Sequence, residues 1–207
     1  ADLKGKTLGV WFYGNEYPFL SWMSRLGLKT DGSADGVTVL KQGWGVEPLT
    51  EGQAACVSTM SYNEYWVVRD AGYSPEQLTV FKYQTEGAAT LEDGLYVHEK
   101  NMSDAAFKDK MVRFVRASMK GWKYAEANPK EAAMIILDND DAGVQTEKHQ
   151  VRMMGEIAKL TAGSNGSLDP ADYERTVKVL MSGDSDPVIT KKPSGAWTNE
   201  ITNAALN

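Results

Sequence analysis

Short apolar runs alternate with helical patterns along this 207-residue chain up to about residue 85. The apolar runs predict strands, and they cover residues 7–11, 37–41, 54–59 and 78–83. The helical patterns between them cover residues 16–26, 48–52 and 62–71. Strands separated by helices in this way predict βαβ units, right-handed crossovers and a mostly parallel sheet whose strands are buried on both faces. The expected fold class is therefore α/β.

The second half of the chain has a different, helical pattern. Ser103 is expected to cap a long helix in which Phe107, Met111 and Phe114 recur at helical spacing. Further helix starts are expected at Asn128-Pro129, Thr146, Asp169-Pro170 and residues 197–200, and one more strand at residues 94–98. The sequence thus indicates two parts, with a boundary close to residue 85.

The composition excludes several classes of protein. Lys and Arg total 22 against 28 Asp and Glu, so the net charge is −6, and a nucleic-acid partner is not expected. The single cysteine, Cys56, excludes an internal disulfide framework and a multi-cysteine zinc site. No apolar run approaches the roughly 18 residues that a bilayer span requires.

Motifs of enzymes and metal sites are scarce. His98 falls in a predicted strand and His149 in a charged helix, without a metal-binding spacing, and Cys56 sits inside a strand, where a thiol is usually inert. The acidic run at residues 138–141 lacks the downstream Gly and Glu of a calcium loop. We therefore expect no enzyme activity, no metal and no cofactor.

Three loops that follow consecutive predicted strands share an unusual composition. Each combines aromatic rings with an amide or a carboxylate, and glycines in the first two allow close approach of a ligand to the backbone. Because ligands of parallel sheets bind at the carboxyl ends of the strands, the loops predict one site for a planar, hydrogen-bonding small molecule. The candidate residues are Trp11, Tyr13, Gly14, Asn15, Glu16, Gln42, Trp44, Tyr62, Asn63 and Glu64.

Some of these side chains also have structural interpretations. Asn15 suits the N-cap of the helix that follows, and Glu16 is favourable at a helix start without any ligand. Ser61 to Glu64 fits a capping box in which the Glu64 carboxylate accepts from the N–H of Ser61. Both interpretations stay open at the level of sequence.

Several stretches resemble the solute-binding proteins of ABC importers. They are DLKGKTLGVW at residues 2–11, GNEYPF at 14–19, EGQAA at 51–55, MSYNEY at 60–65, FVRASMKGW at 114–122 and ANPKEAA at 127–133. More narrowly, these stretches resemble the branch that binds thiamine-pyrimidine precursors, which has riboflavin, taurine and alkanesulfonate binders as relatives. The resemblance extends over essentially the whole chain.

The resemblance implies a periplasmic binding protein fold of the second type, with two hinged lobes. Residues 1–85 would form the complete second lobe, and residues 86–207 would return to a first lobe whose N-terminal portion is absent. The implied location is the periplasm, and the implied partners are a small-molecule ligand and an ABC permease of the inner membrane. Sheet edges left by the absent half-lobe would also favour self-association.

The function implied by the resemblance is reversible capture of a flat heteroaromatic ring, without chemical change. The expected stacking residues are Trp11, Tyr13, Trp44 and Tyr62. Glu16 or Glu64 would accept from an exocyclic amine, with Asn15, Gln42 and Asn63 fixing its orientation. Two alternatives are a thiamine-pyrimidine synthase-like enzyme of the same fold and a taurine- or alkanesulfonate-binding protein, which would hold its anion at helix N-termini.

Overall fold

Three of the predicted strands form a parallel sheet in the computed structural model of the protein, which describes residues 3–182 and 187–206. The central strand β1 (Thr7–Val10) pairs with β2 (Thr38–Lys41) on one side and with β3 (Cys56–Val57) on the other. Val10 lies opposite Lys41, and Gly9 lies opposite Val57. The carboxyl ends of all three strands therefore lie at the same edge of the sheet, as the sequence predicts.

Nine helices are present in the described ranges. In chain order they are α1 (Glu16–Arg25), α2 (Glu47–Thr50), α3 (Glu64–Asp70), α4 (Tyr83–Glu86), α5 (Ala105–Ala127), α6 (Pro129–Asp138), α7 (Glu147–Thr161), α8 (Pro170–Leu180) and α9 (Glu200–Leu206). Short 3-10 turns cover Pro75–Gln77 and Glu99–Ser103. The predicted starts at Pro129 and Pro170 are confirmed. Thr146 caps α7 by accepting from the N–H of His149, as predicted. The cap of α5 is Asp104 and not Ser103, because the Asp104 carboxylate accepts from the N–H of Ala106.

Chain contacts divide the protein into two units. Unit 1 comprises Ala1–Leu91 and Pro170–Ser194, and unit 2 comprises Glu92–Asp169 and Gly195–Asn207. This division differs from the predicted boundary at residue 85, because α8 packs against α1 in unit 1. Val177 and Val179 of α8 are buried there. Asp2, with which the first family-like stretch opens, lies outside the described residues.

The core of unit 1 forms where α1 covers the sheet. Its buried side chains are Leu8, Val10, Phe19, Trp22, Met23, Val37 and Ala88. The Trp22 indole N–H donates to the Glu86 carboxylate over 3.1 Å, and the Trp22 ring contacts the rings of Phe81 and Tyr83. The amphipathic spacing of α1 thus holds the helix on the sheet and fixes the loop that precedes it.

Two predicted strands do not form. Residues 78–82 are irregular and lead into α4, and residues 94–98 are irregular as well. Leu95 and Tyr96 are exposed, at 57% and 82%, and Val80 is 54% exposed. Neither segment has a strand partner among the described residues, so their strand-like composition is not expressed as sheet.

Unit 2 is built from helices. Helices α5, α6 and α7 pack around a small core of Ala132, Ala133 and Met154. Helix α9 lies against α5, where the Arg116 guanidinium donates to the carbonyls of Ala204 and Ala205 at the last turn of α9. Within the described parts of the chain, no helix is both long and apolar enough to span a bilayer.

Candidate functional site

The three candidate loops meet at the carboxyl edge of the sheet in unit 1. The first loop follows β1, the second follows β2 and the third follows β3. The Trp11 indole N–H donates to the carbonyl of Gly43 over 2.9 Å, and the backbone N–H of Gln42 donates to the carbonyl of Val10 over 2.9 Å. The first and second loops are therefore hydrogen-bonded to each other at the place that the sequence predicts.

Gln42 joins the second loop to the third. Its side chain is only 6% exposed, and its Nε2 donates to the carbonyls of Gly45 (3.1 Å) and Ser58 (2.9 Å). Its Oε1 accepts from the N–H of Ser58 over 2.8 Å. The amide therefore makes three hydrogen bonds to the backbone, which accounts for its burial. Gln42 acts here as a bridge between loops, and both of its Nε2 protons are already engaged.

A glycine in β1 makes room for this bridge. A Cβ added at Gly9 would lie 3.1 Å from Oε1 of Gln42 and 3.0 Å from Cγ1 of Val57. Both separations are shorter than ordinary van der Waals contacts. The absence of a side chain at position 9 thus allows the Gln42 amide to lie across the central strand.

The carboxylate of the first loop is directed at its own backbone. Oε2 of Glu16 accepts from the N–H of Gly14 over 2.7 Å at the start of α1. Asn15 occupies the N-cap position, but it makes no side-chain cap bond, and its Nδ2 donates to the carbonyl of Phe12 over 3.2 Å. The capping interpretation of Asn15 is therefore correct for its position and wrong for its side chain.

The third loop follows a similar scheme. Oε2 of Glu64 accepts from the N–H of Met60 over 2.8 Å, and Oε1 accepts from Nδ2 of Asn63 over 2.8 Å. The predicted capping box of Ser61 and Glu64 is wrong, because the N-cap of α3 is Asn63 and the backbone donor to Glu64 is Met60 and not Ser61. Tyr62, beside this carboxylate, is half-buried.

Two aromatic rings are exposed at the edge. Tyr13 is 90% exposed and Trp44 is 96% exposed. Tyr13 has a positive φ of 66°, a conformation that is uncommon for a residue other than glycine. Nζ of Lys41 donates to the Tyr13 hydroxyl over 2.9 Å and lies 4.4 Å from the centre of that ring. This hydrogen bond and the positive charge of Lys41 lower the pKa of the Tyr13 phenol.

Lys41 is the site residue that the sequence does not predict. It is the last residue of β2 and an exposed one, so it reads as an ordinary solvent-facing side chain of an amphipathic strand. The signal that could have identified it is its position, because it ends a strand at the edge where the aromatic loops gather.

The remaining chemistry-bearing residues lie elsewhere. The Cys56 thiol belongs to β3, and burial raises its pKa. His98 lies in unit 2, beside an open hollow of about 390 Å³ that is lined mainly by apolar residues and carries no predicted site residue. Among the described residues, no group of three or more His, Cys, Asp or Glu side chains is placed to hold a metal ion.

A parallel sheet whose carboxyl edge carries exposed rings and hydrogen-bonded polar loops is typical of proteins that bind small molecules. Comparison with family models matches residues 1–132 to the family described as NMT1/THI5 like. The match covers more than half of the chain and includes all three loops, so the chain belongs to the NMT1/THI5-like family. That family has the type II periplasmic binding fold, and the family resemblance seen in the sequence is confirmed. No curated protein sequence matches the chain.

Proposed function

We propose that this protein is the solute-binding component of an ABC importer and that it captures a small planar heteroaromatic molecule, such as a thiamine pyrimidine precursor, at the carboxyl edge of its sheet. Capture is reversible and leaves the ligand chemically unchanged. The protein then delivers the ligand to a permease of the inner membrane. The proposed location of the protein is therefore the periplasm.

The proposal is supported by two exposed aromatic rings on loops that are joined to each other by hydrogen bonds. Tyr13 and Trp44 are almost fully exposed, yet the backbone that bears them is tied down through Trp11 and Gln42. Exposed aromatic faces on a fixed backbone suit the stacking of a flat ring, since a large contact area is offered at a low conformational cost. Membership of the family supports the same class of function.

Capture without chemistry is supported by the positions of the nucleophiles and bases. Neither of the two histidines lies in the loops, and burial raises the pKa of the Cys56 thiol, which disfavours the nucleophilic thiolate. The two loop carboxylates accept from backbone N–H groups, which favours a structural role over that of a general base.

Titration calorimetry with a 4-aminopyrimidine tests the proposal. We expect saturable binding by the full chain, and we expect Trp44→Ala to weaken it by about tenfold, the effect of losing one stacked ring worth about 1–1.5 kcal/mol. Trp122→Ala is the matched control, because Trp122 is also exposed, at 47%, and belongs to α5 of unit 2. Equal binding by both variants would place the ligand away from the loops, and binding of taurine in preference to the pyrimidine would favour the sulfonate alternative.

A further inference from the structure

The candidate carboxylates of the first and third loops already accept hydrogen bonds from the protein itself. Glu16 accepts from the N–H of Gly14, and Glu64 accepts from the N–H of Met60 and from the Asn63 amide. These carboxylates lie at the starts of α1 and α3, where they interact favourably with the positive ends of the helix dipoles. A ligand amine would have to compete with backbone donors for them, and a ligand anion would be repelled from both helix starts.

The cation at the same edge is differently placed. Nζ of Lys41 contacts the Tyr13 hydroxyl and lies over the rings of Tyr13 (4.4 Å) and Phe12 (5.7 Å). No carboxylate in the described part of the chain forms an ion pair with it. The rings orient the ammonium group but do not neutralise it, and an ammonium has three N–H donors, of which Tyr13 takes one.

The position of this cation is fixed from two sides. Lys41 is held in the sheet by its register with Val10, and Tyr13 is held in a left-handed backbone conformation directly after the neighbouring strand. Unusual backbone conformations of this kind persist where the surroundings impose them, and they are concentrated at binding sites. The ammonium of Lys41 therefore lies over the Tyr13 ring, 4.4 Å from its centre, while the residue stays 90% exposed, so a small ring that contacts Tyr13 would bring its substituent close to the ammonium.

We propose that Lys41 determines the ligand class of this site: it binds an anionic substituent of the captured ring, so that the ligand is a flat heteroaromatic anion such as a ring carboxylate or a phosphate ester. This inference rests on the proposed function of the loops as a ring-binding site. It assigns the charge recognition to the end of β2 and not to the loop carboxylates or to a helix N-terminus.

The test compares three matched probes in titration calorimetry on the full chain at low salt. They are 4-aminopyrimidine-5-carboxamide, which is neutral, 4-aminopyrimidine-5-carboxylate, and (4-aminopyrimidin-5-yl)methyl phosphate. We expect the wild-type protein to bind at least one anion about tenfold more tightly than the carboxamide, and the stronger anion identifies the substituent. Lys41→Met should remove this preference, so that the ratio of anion affinity to carboxamide affinity falls to about one. Lys82→Met, which removes an exposed lysine of unit 1, should retain it.

The outcomes separate this inference from the proposed function. If the wild-type protein and Lys41→Met both bind the carboxamide and the two anions with equal affinity, the loops bind rings but Lys41 does not select charge, and the inference is overturned alone. If Lys41→Met weakens all three probes equally, Lys41 supports the fold of the site and the inference is again overturned. If none of the probes binds to the wild-type protein, both the inference and the ring-binding function fail.

Discussion

Replacement of Gln42 by methionine tests whether its amide is a structural bridge. The two side chains have similar length and volume, so Gln42→Met removes the hydrogen bonds and leaves the space filled. Two backbone carbonyls, those of Gly45 and Ser58, lose their partner, whereas the Ser58 N–H keeps its second hydrogen bond, to the carbonyl of Gly9 over 3.0 Å. All of them surround a side chain that is 6% exposed, so water replaces the lost bonds poorly.

The expected loss follows from the number of bonds. A hydrogen bond contributes about 0.5–1.5 kcal/mol net, so the two bonds whose loss leaves a carbonyl unpaired correspond to a decrease of about 1–3 kcal/mol in the unfolding free energy of unit 1. Urea unfolding followed by near-ultraviolet circular dichroism measures this decrease. The Ser58 N–H should stay protected in amide hydrogen exchange, because its bond to the Gly9 carbonyl remains.

Gln53→Met is the matched control. Gln53 is exposed, and its Nε2 donates only to the Glu51 carboxylate, so its replacement should change the unfolding free energy by less than about 0.5 kcal/mol. Equal stability of Gln42→Met and Gln53→Met would refute the bridging role and would return Gln42 to the set of free ligand-binding amides.

Three further predictions concern neighbouring residues. Gly9→Ala should lower the unfolding free energy measured in urea by about 1–3 kcal/mol, because the added Cβ would crowd Val57 and Gln42. Gly43→Ala is the control and should be nearly neutral, because a Cβ at position 43 meets no atom within 4 Å. Similar losses in both variants would contradict the packing argument. The Tyr13 phenol should ionise below its ordinary pKa in a spectrophotometric titration referenced to Tyr13→Phe, and Lys41→Met should raise that pKa. The pKa of the Tyr13 phenol is lower in the folded than in the unfolded protein, so its ionisation stabilises the fold above the unfolded-state pKa and contributes nothing at neutral pH. An unchanged Tyr13 titration in Lys41→Met would exclude the contact between the two side chains. Cys56 should react with a disulfide reagent about tenfold more slowly in the native protein than in urea, since burial raises its pKa, and equal rates would show that the thiol is accessible.

The three strands of the sheet are predictable because each has a local signal in the sequence. Residues 7–11, 37–41 and 54–59 are apolar runs bounded by polar loops, and helices of suitable length separate them, which is sufficient to infer parallel order. Residues 78–83 and 94–98 show the same composition without forming strands. A strand needs a neighbour with free hydrogen-bonding groups, and composition reports only whether side chains would tolerate a pleated surface.

The sequence predicts where the candidate site lies, but it predicts only some of the roles of the side chains there. The convergence of the loops follows from the parallel sheet, so Trp44 and Tyr13 could be placed at one edge in advance. The roles of Gln42 and Glu64 depend on which backbone N–H or carbonyl lies within 3 Å of each side chain, and that is a tertiary property. The sequence does not identify Lys41 as a site residue, because an exposed lysine at the end of a strand gives the same sequence pattern whether or not aromatic rings lie beside it in the fold.

The discontinuity of unit 1 has a consequence for biosynthesis. Its sheet lies in the N-terminal part of the chain, whereas α8 and the residues that follow it, up to Ser194, are translated after most of unit 2. The nascent unit must therefore wait for Val177 and Val179 to leave the ribosome before its helical layer is complete, with the hydroxyls of Ser21 and Ser182 then 2.9 Å apart. During that interval the side of α1 that α8 later covers is exposed, so a chaperone that shields it would increase the yield of the folded protein.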